Sequence, residues 1–268
     1  MKLTNRIRSV AIGSFDGLHL AHQELIALSE ALVVIERNSG YLTPGYKRTH
    51  FTDRPCFFYL FDKIQSLTPQ AFVAKLCEDF PRLEKIVVGY DFHFGREKEG
   101  NASMLRELFD GEVVIVDEVS IGGISVHSRT IKRYLSQGDI AMANRLLGRE
   151  YALEGTIVKG QGIGARELVP TLNLKVEHYR LPIEGVYASR TNLDGEWYPS
   201  VTFLGHRVTT DGSFAIESHI LRRDIGERSG EVMVSFRALL RENRRFDGLS
   251  DLKVQIDADI DKAESYFR

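Results

Sequence analysis

An apolar run, Val10-Ala11-Ile12, stops at Gly13, crosses Ser14-Phe15-Asp16 to Gly17, and is followed by two histidines three positions apart, His19 and His22. The run reads as a short buried strand and the glycines as the brackets of a tight turn. The histidine spacing reads as one face of a starting helix. A strand that breaks at glycines and opens a helix presents free backbone N–H groups at the positive end of the helix dipole. Such a turn is a place for a phosphate. Two imidazoles beside it can donate hydrogen bonds to phosphoryl oxygens as charge develops on them.

The rest of the first half repeats the alternation. Residues 23–31 and 69–80 carry apolar side chains at helical spacing, and 104–109 reads as a short helix. Leu32–Ile35, Lys85–Gly89 and Val113–Val116 read as strands. Strands separated by helices predict a doubly wound parallel sheet, with ligands beyond the carboxyl ends of its strands. Residues 37–54 are rich in Gly, Pro, Thr and charge and read as an irregular connection. Residues 131–147 are expected to form one helix around Gly138, ended by Gly148.

From Tyr151 the texture changes to short alternating runs at 155–158, 171–176, 185–190, 199–204, 213–221 and 231–239, separated by Gly, Asp and Asn. That pattern predicts a small antiparallel barrel, closed by a final helix over 249–267. The expected domains are therefore residues 1–149, α/β, and 150–268, a β-barrel with a C-terminal helix.

Bulk composition narrows the function classes. Apolar content of 43% and charged content of 27% suit a globular protein, and a net charge of −2 gives no overall pull toward nucleic acid. No apolar run is long enough to span a bilayer, and the start lacks a signal-peptide core. Cys56 and Cys77 fit neither a CxxC motif nor a disulfide framework, so a reducing, cytoplasmic setting is expected.

Four further constellations could carry chemistry. In Gly89-Tyr-Asp91-Phe92-His-Phe94-Gly95 a strand runs into a glycine turn with a carboxylate and aromatics. This is either a packed strand end or a wall for a flat ring. His127-Ser128-Arg129-Thr130-Ile131-Lys132 places hydroxyls and cations before a helix, either as an ordinary cap or as a site for phosphates. Gly160, Gly162 and Gly164 form a glycine-rich loop before Pro170-Thr171-Leu-Asn173. Thr171 and Asn173 are two apart and face one side of a strand, with hard oxygens suited to Mg²⁺ and ATP. In Phe214-Ala-Ile216-Glu217-Ser-His219-Ile220, Glu217 and His219 share the face opposite Ile216 and Ile220.

Taken in order, these motifs resemble the bacterial bifunctional riboflavin kinase/FMN adenylyltransferases, the prokaryotic FAD synthetases. The His19–His22 stretch is similar to the HxGH signature of nucleotidyltransferases, with Ala21 at the glycine, and Gly13-x-Phe15-Asp16-Gly17-x-His19 matches the family's longer form. The Asp91–Phe92 loop resembles the family's flavin-binding loop. Ser128, Arg129 and Lys132 stand in the family's phosphate-binding segment. Pro170-Thr171-x-Asn173 matches its kinase motif, and Glu217 occupies the place of the base that takes the ribityl hydroxyl proton.

The resemblance implies ATP-dependent conversion of riboflavin to FMN and of FMN to FAD, with Mg²⁺ as cofactor and no nucleic-acid or membrane partner. His19, His22 and Glu217 would be the catalytic residues. Gly13, Phe15, Asp16, Gly17, Asp91, Phe92, Ser128, Arg129, Lys132, Gly160, Gly162 and Gly164 would bind nucleotide or flavin, and Thr171 and Asn173 would hold the metal. Departures around residues 165–168 leave two other readings open. One is an FMN adenylyltransferase with a silent kinase-like domain; the other is a flavin-binding regulator without catalysis.

Overall fold

A computed structural model describes residues 6–37, 41–160 and 169–268. The chain divides into two compact units, Met1–Ser128 and Arg129–Arg268.

The first unit contains β1 (Ser9–Gly13), α1 (Leu20–Ala27), β2 (Ala31–Glu36), β3 (Cys56–Leu60), α2 (Pro69–Asp79), β4 (Lys85–Gly89), α3 (Ala102–Leu108) and β5 (Glu112–Val116). Its strands form the expected parallel sheet in the order β3-β2-β1-β4-β5. The apolar runs are continuous because both faces are buried. Val10, Ile12, Val33, Ile86 and Val88 join one apolar cluster with Phe72, Leu76 and Leu105. Ala11, Leu32, Val34 and Val87 join another with Leu25 and Ile26. The helix α2 starts at Pro69 because Thr68 Oγ1 accepts the Ala71 N–H at 3.2 Å and Pro has no N–H to lose. Strand order reverses between β1 and β4, and a ligand crevice opens beyond the carboxyl ends at such a switch. The turn after β1 and the loop after β4 both leave from there.

The helix α4 (Ser128–Ser136) begins at the junction, and α5 (Ile140–Leu147) follows. Two helices form where one was expected over 131–147. Gly138 takes φ +78°, and a Cβ there would lie 2.6 Å from Leu239 Cδ2, so the chain turns close against the barrel where only glycine fits. Asp139 then caps α5 by accepting the Met142 N–H at 3.0 Å, and Gly148 ends it at φ +75°. Asn144 on α5 donates to Phe236 O at 2.8 Å and accepts from Tyr151 N at 2.7 Å. These contacts place the two helices with the second compact unit, so its edge lies earlier in the chain than the change of texture near residue 149.

The barrel strands are β6 (Tyr151–Val158), β7 (Leu172–Lys175), β8 (Gly185–Leu193), β9 (Glu196–His206), β10 (Phe214–Ile220) and β11 (Gly230–Glu242), followed by α6 (Leu249–Glu264). They close antiparallel in the order β6-β7-β10-β9-β8-β11. A hydroxyl network of Ser189, Thr191, Ser200, Thr202 and Ser218 is buried across β8, β9 and β10, with Ser189 Oγ 2.7 Å from Thr202 Oγ1 and Thr191 Oγ1 2.7 Å from Ser218 Oγ. Each hydroxyl can donate and accept, so burial leaves them satisfied. Among the described residues no helix is long and apolar enough to cross a membrane.

Candidate functional sites

In the first unit the turn after β1 is held in an unusual shape. Phe15, Gly17 and Leu18 all have left-handed φ, at +46°, +89° and +41°. For the two non-glycines this costs on the order of 1–3 kcal/mol each. Both are fully buried, so packing offsets the strain. The Asp16 carboxylate accepts the N–H groups of Leu42 and Thr43 at 2.7 and 3.1 Å, which fastens the segment after β2 over the turn. Ser128 Oγ donates to Asp16 O at 2.7 Å, joining a second predicted site residue to this loop.

The turn delivers His19 to the N-cap of α1 and His22 to its first turn. Their rings stack at 3.6 Å with 15° between planes, and Phe15 tilts against His22 at 5.2 Å. Burial pushes His22 well below its ordinary pKa, and the neighbouring His19, Arg48 and His127 push the same way. His22 is therefore a neutral hydrogen-bonding group near neutral pH, and its buried Nδ1 has no hydrogen-bond partner among the described residues.

Arg48 was not anticipated, since residues 37–54 read as an irregular connection. Instead Gly45–Phe51 is a 3₁₀ turn that carries Arg48 fully buried beside Glu36, at 2.5 Å, with its guanidinium 4.7 Å from the Tyr41 ring centre. The available signal was Tyr41-Leu-Thr-Pro44, an apolar and hydroxyl cluster inside an otherwise polar connection.

In the loop after β4, Phe92 and Phe94 stack at 5.6 Å within the core cluster. The ring of Phe92 is thus packed in the core, the strand-end packing that its motif also allowed. The aromatic this loop exposes is Tyr90, which donates to Glu118 Oε1 at 3.0 Å and lies 3.2 Å from His127 Nε2. Asp91 is exposed. On α4, Arg129 is exposed and Lys132 half-buried.

In the barrel, Asn173 and Glu217 are direct partners in the β7–β10 ladder. Both line a cleft of about 920 Å³, together with Thr171 and Gly160. Val201, Phe203, Phe246, Ile256 and Ile260 also line it, so polar and apolar walls share one space. A Cβ on Gly160 would fall 2.3 Å from Asn173 Nδ2, which shows how closely the loop backbone covers that amide. His219 donates from Nδ1 to Pro170 O at 2.8 Å and so pins the start of the Thr171–Asn173 segment to β10. The expected phosphate-loop residues Gly162 and Gly164 lie outside the described residues. Arg207, which sequence reasoning passed over, donates to both Asn173 Oδ1 and Glu217 Oε1, at 2.9 and 2.7 Å.

Comparison with known proteins matches both halves. Residues 147–267 match the riboflavin kinase family and residues 52–130 the FAD synthetase family. The bifunctional riboflavin kinase/FMN adenylyltransferase of Pseudomonas fluorescens is 28% identical over 95% of this chain and 91% of its own length. That of Listeria monocytogenes is also 28% identical, over 96% and 92%. The barrel half therefore matches the riboflavin kinase family and part of the first half the FAD synthetase family, and the chain is similar along nearly its whole length to bacterial bifunctional riboflavin kinase/FMN adenylyltransferases. The FAD synthetase match covers the later part of the parallel-sheet unit, from before β3 onward, and the riboflavin kinase match covers the closed barrel. A solved structure described as a macrolide-efflux protein from Streptococcus pneumoniae superimposes with a TM-score of 0.84 at 26% identity, covering 98% of this chain and 97% of that one.

Proposed function

We propose that this chain makes FAD in two ATP-dependent steps. Riboflavin is phosphorylated to FMN within residues 150–268, and FMN is adenylylated to FAD within residues 1–149. The observation that carries the reading is the direct pairing of Asn173 with Glu217 in a cleft with both polar and apolar walls. The apolar wall suits a flavin ring and the polar end suits its ribityl hydroxyl and a nucleotide.

In the kinase step Glu217 takes the proton of the riboflavin 5′-hydroxyl. The freed oxygen receives the γ-phosphoryl group of ATP, and ADP leaves. The work is positioning and charge neutralisation. Thr171 and Asn173 supply neutral hard oxygens, a donor set that suits Mg²⁺ carried on nucleotide phosphates. When bound, Mg²⁺ offsets charge on the phosphate oxygens.

In the adenylyl step an FMN phosphate oxygen attacks the α-phosphorus of ATP and pyrophosphate leaves. The nucleophile is already anionic and needs no base. His19 and His22 hydrogen-bond the transferring group, neutral His22 through its one ring N–H. The backbone from Gly13 to Gly17 lies under the phosphates, and Asp91 borders the flavin. Ser128, Arg129 and Lys132 are the residues assigned to the departing pyrophosphate. The unpaired cysteines, Cys56 and Cys77, accord with a cytoplasmic setting. Chromatography of flavins after incubation of the protein with riboflavin, ATP and Mg²⁺ tests the reading.

A further inference from the structure

Arg207 follows β9 and closes the turn that leads to β10. Its backbone N–H donates to Ser213 O at 2.9 Å, and its carbonyl accepts from Gly212 N at 3.1 Å. The side chain is held as firmly. Nη1 donates to Ser213 Oγ at 2.7 Å, and Ser213 Oγ donates to Asp211 Oδ1 at 2.9 Å. Nη2 has two hydrogens, and both are used inside the cleft. One goes to Asn173 Oδ1 at 2.9 Å and the other to Glu217 Oε1 at 2.7 Å. The Arg207–Glu217 pair is mostly shielded, with side-chain exposures of 16% and 24%.

These two acceptors are the amide oxygen assigned to a metal nucleotide and the carboxylate assigned to the hydroxyl proton. A guanidinium keeps its charge at any working pH. It cannot stay in contact with an oxygen that also binds a dication without strong like-charge repulsion at contact distance.

We propose that Arg207 is a cationic latch on the kinase site. It holds Asn173 and Glu217 together and is displaced when a metal nucleotide binds, so it sets how much Mg²⁺ phosphoryl transfer requires. The inference rests on the kinase reading above. It adds a residue that competes with the metal rather than assisting it.

The test compares the full-length chain with its Arg207→Met and Arg207→Lys variants. Calorimetry of ADP binding at increasing Mg²⁺ is read alongside the Mg²⁺ dependence of riboflavin phosphorylation. Arg207→Met should reach half-maximal ADP binding at a several-fold lower Mg²⁺ concentration. Arg207→Lys keeps the charge but loses the fork that reaches both acceptors, and should fall between the variant and the wild type. An unchanged or higher Mg²⁺ requirement in Arg207→Met overturns the latch. If that variant fails to fold, Ser213→Ala removes only the Nη1 anchor. It should shift the requirement the same way, and no shift overturns the latch. A wild type that neither binds ADP with Mg²⁺ nor forms FMN removes the kinase reading and the latch with it. A wild type that turns over, with variants unshifted, removes the latch alone.

Discussion

Asn173 and Glu217 face each other directly across the β7–β10 ladder, and one nitrogen of Arg207 donates to both. An amide oxygen and a carboxylate from separate strands are thereby fixed on one spot. The kinase account follows from that placement. Glu217→Gln keeps the shape but removes the proton acceptor. FMN formation should fall by about 10²–10⁴-fold, the range for losing a general base. Adenylylation of supplied FMN should continue, and flavin chromatography separates the two.

The stacked His19–His22 pair makes the opposite prediction. A His19→Ala/His22→Ala variant should convert riboflavin to FMN and stop. Losing one preorganised donor costs about 10²–10³-fold in rate, so losing both should leave FAD formation near background. FAD at the wild-type rate would remove this pair from adenylyl transfer.

Gly160 offers a check on the position of Asn173. In Gly160→Ala the new Cβ would meet Asn173 Nδ2 at 2.3 Å and push the amide away. Riboflavin phosphorylation should then require more Mg²⁺ and ATP, while FAD formation from supplied FMN stays close to wild type. Steady-state kinetics of each half-reaction measure this.

Acid should weaken the first unit through His22. Its pKa in the folded chain is well below the ordinary value, chiefly because of burial. The unfolded chain, with a histidine pKa of about 6.5, therefore binds the proton first as pH falls. Folded stability is full above that pH and declines as pH drops through and below it. Urea unfolding of the wild type should lose midpoint over this range, and a His22→Gln variant should lose less. Equal slopes would contradict the assignment.

The Arg48–Glu36 pair is buried on both sides. Removing one partner leaves a charge without compensation, which costs about 3–5 kcal/mol. Glu36→Leu should lower stability by that order. The Glu36→Leu/Arg48→Met double variant should recover part of it, because neither charge remains. A double variant as unstable as the sum of the singles would show that the two side chains are not coupled.

What the sequence disclosed, and what it hid, follows physical lines. The β1–α1 turn was legible because glycines, histidines and an apolar strand sit within one short segment, and so were the parallel sheet and the barrel, whose periods differ. Gly138 was misjudged as a tolerated helix glycine because the neighbour that demands it, Leu239, is far along the chain. Arg48 and Arg207 were passed over for a related reason. A lone arginine in a polar segment looks solvated, and only tertiary contact shows one against Glu36 and the other bridging Asn173 and Glu217. For Phe92 the motif allowed either a packed strand end or a ligand wall, and the ring packs against Phe94 in the core.

The central claim is that one chain carries both steps, with separate residues for each. The most direct measurement is a time course of purified protein with riboflavin, ATP and Mg²⁺, resolved by flavin chromatography. FMN should appear first and FAD should follow, with ADP and pyrophosphate as the co-products. Folded protein that forms neither FMN nor FAD would contradict the account, and FAD from supplied FMN with no FMN from riboflavin would remove its kinase half.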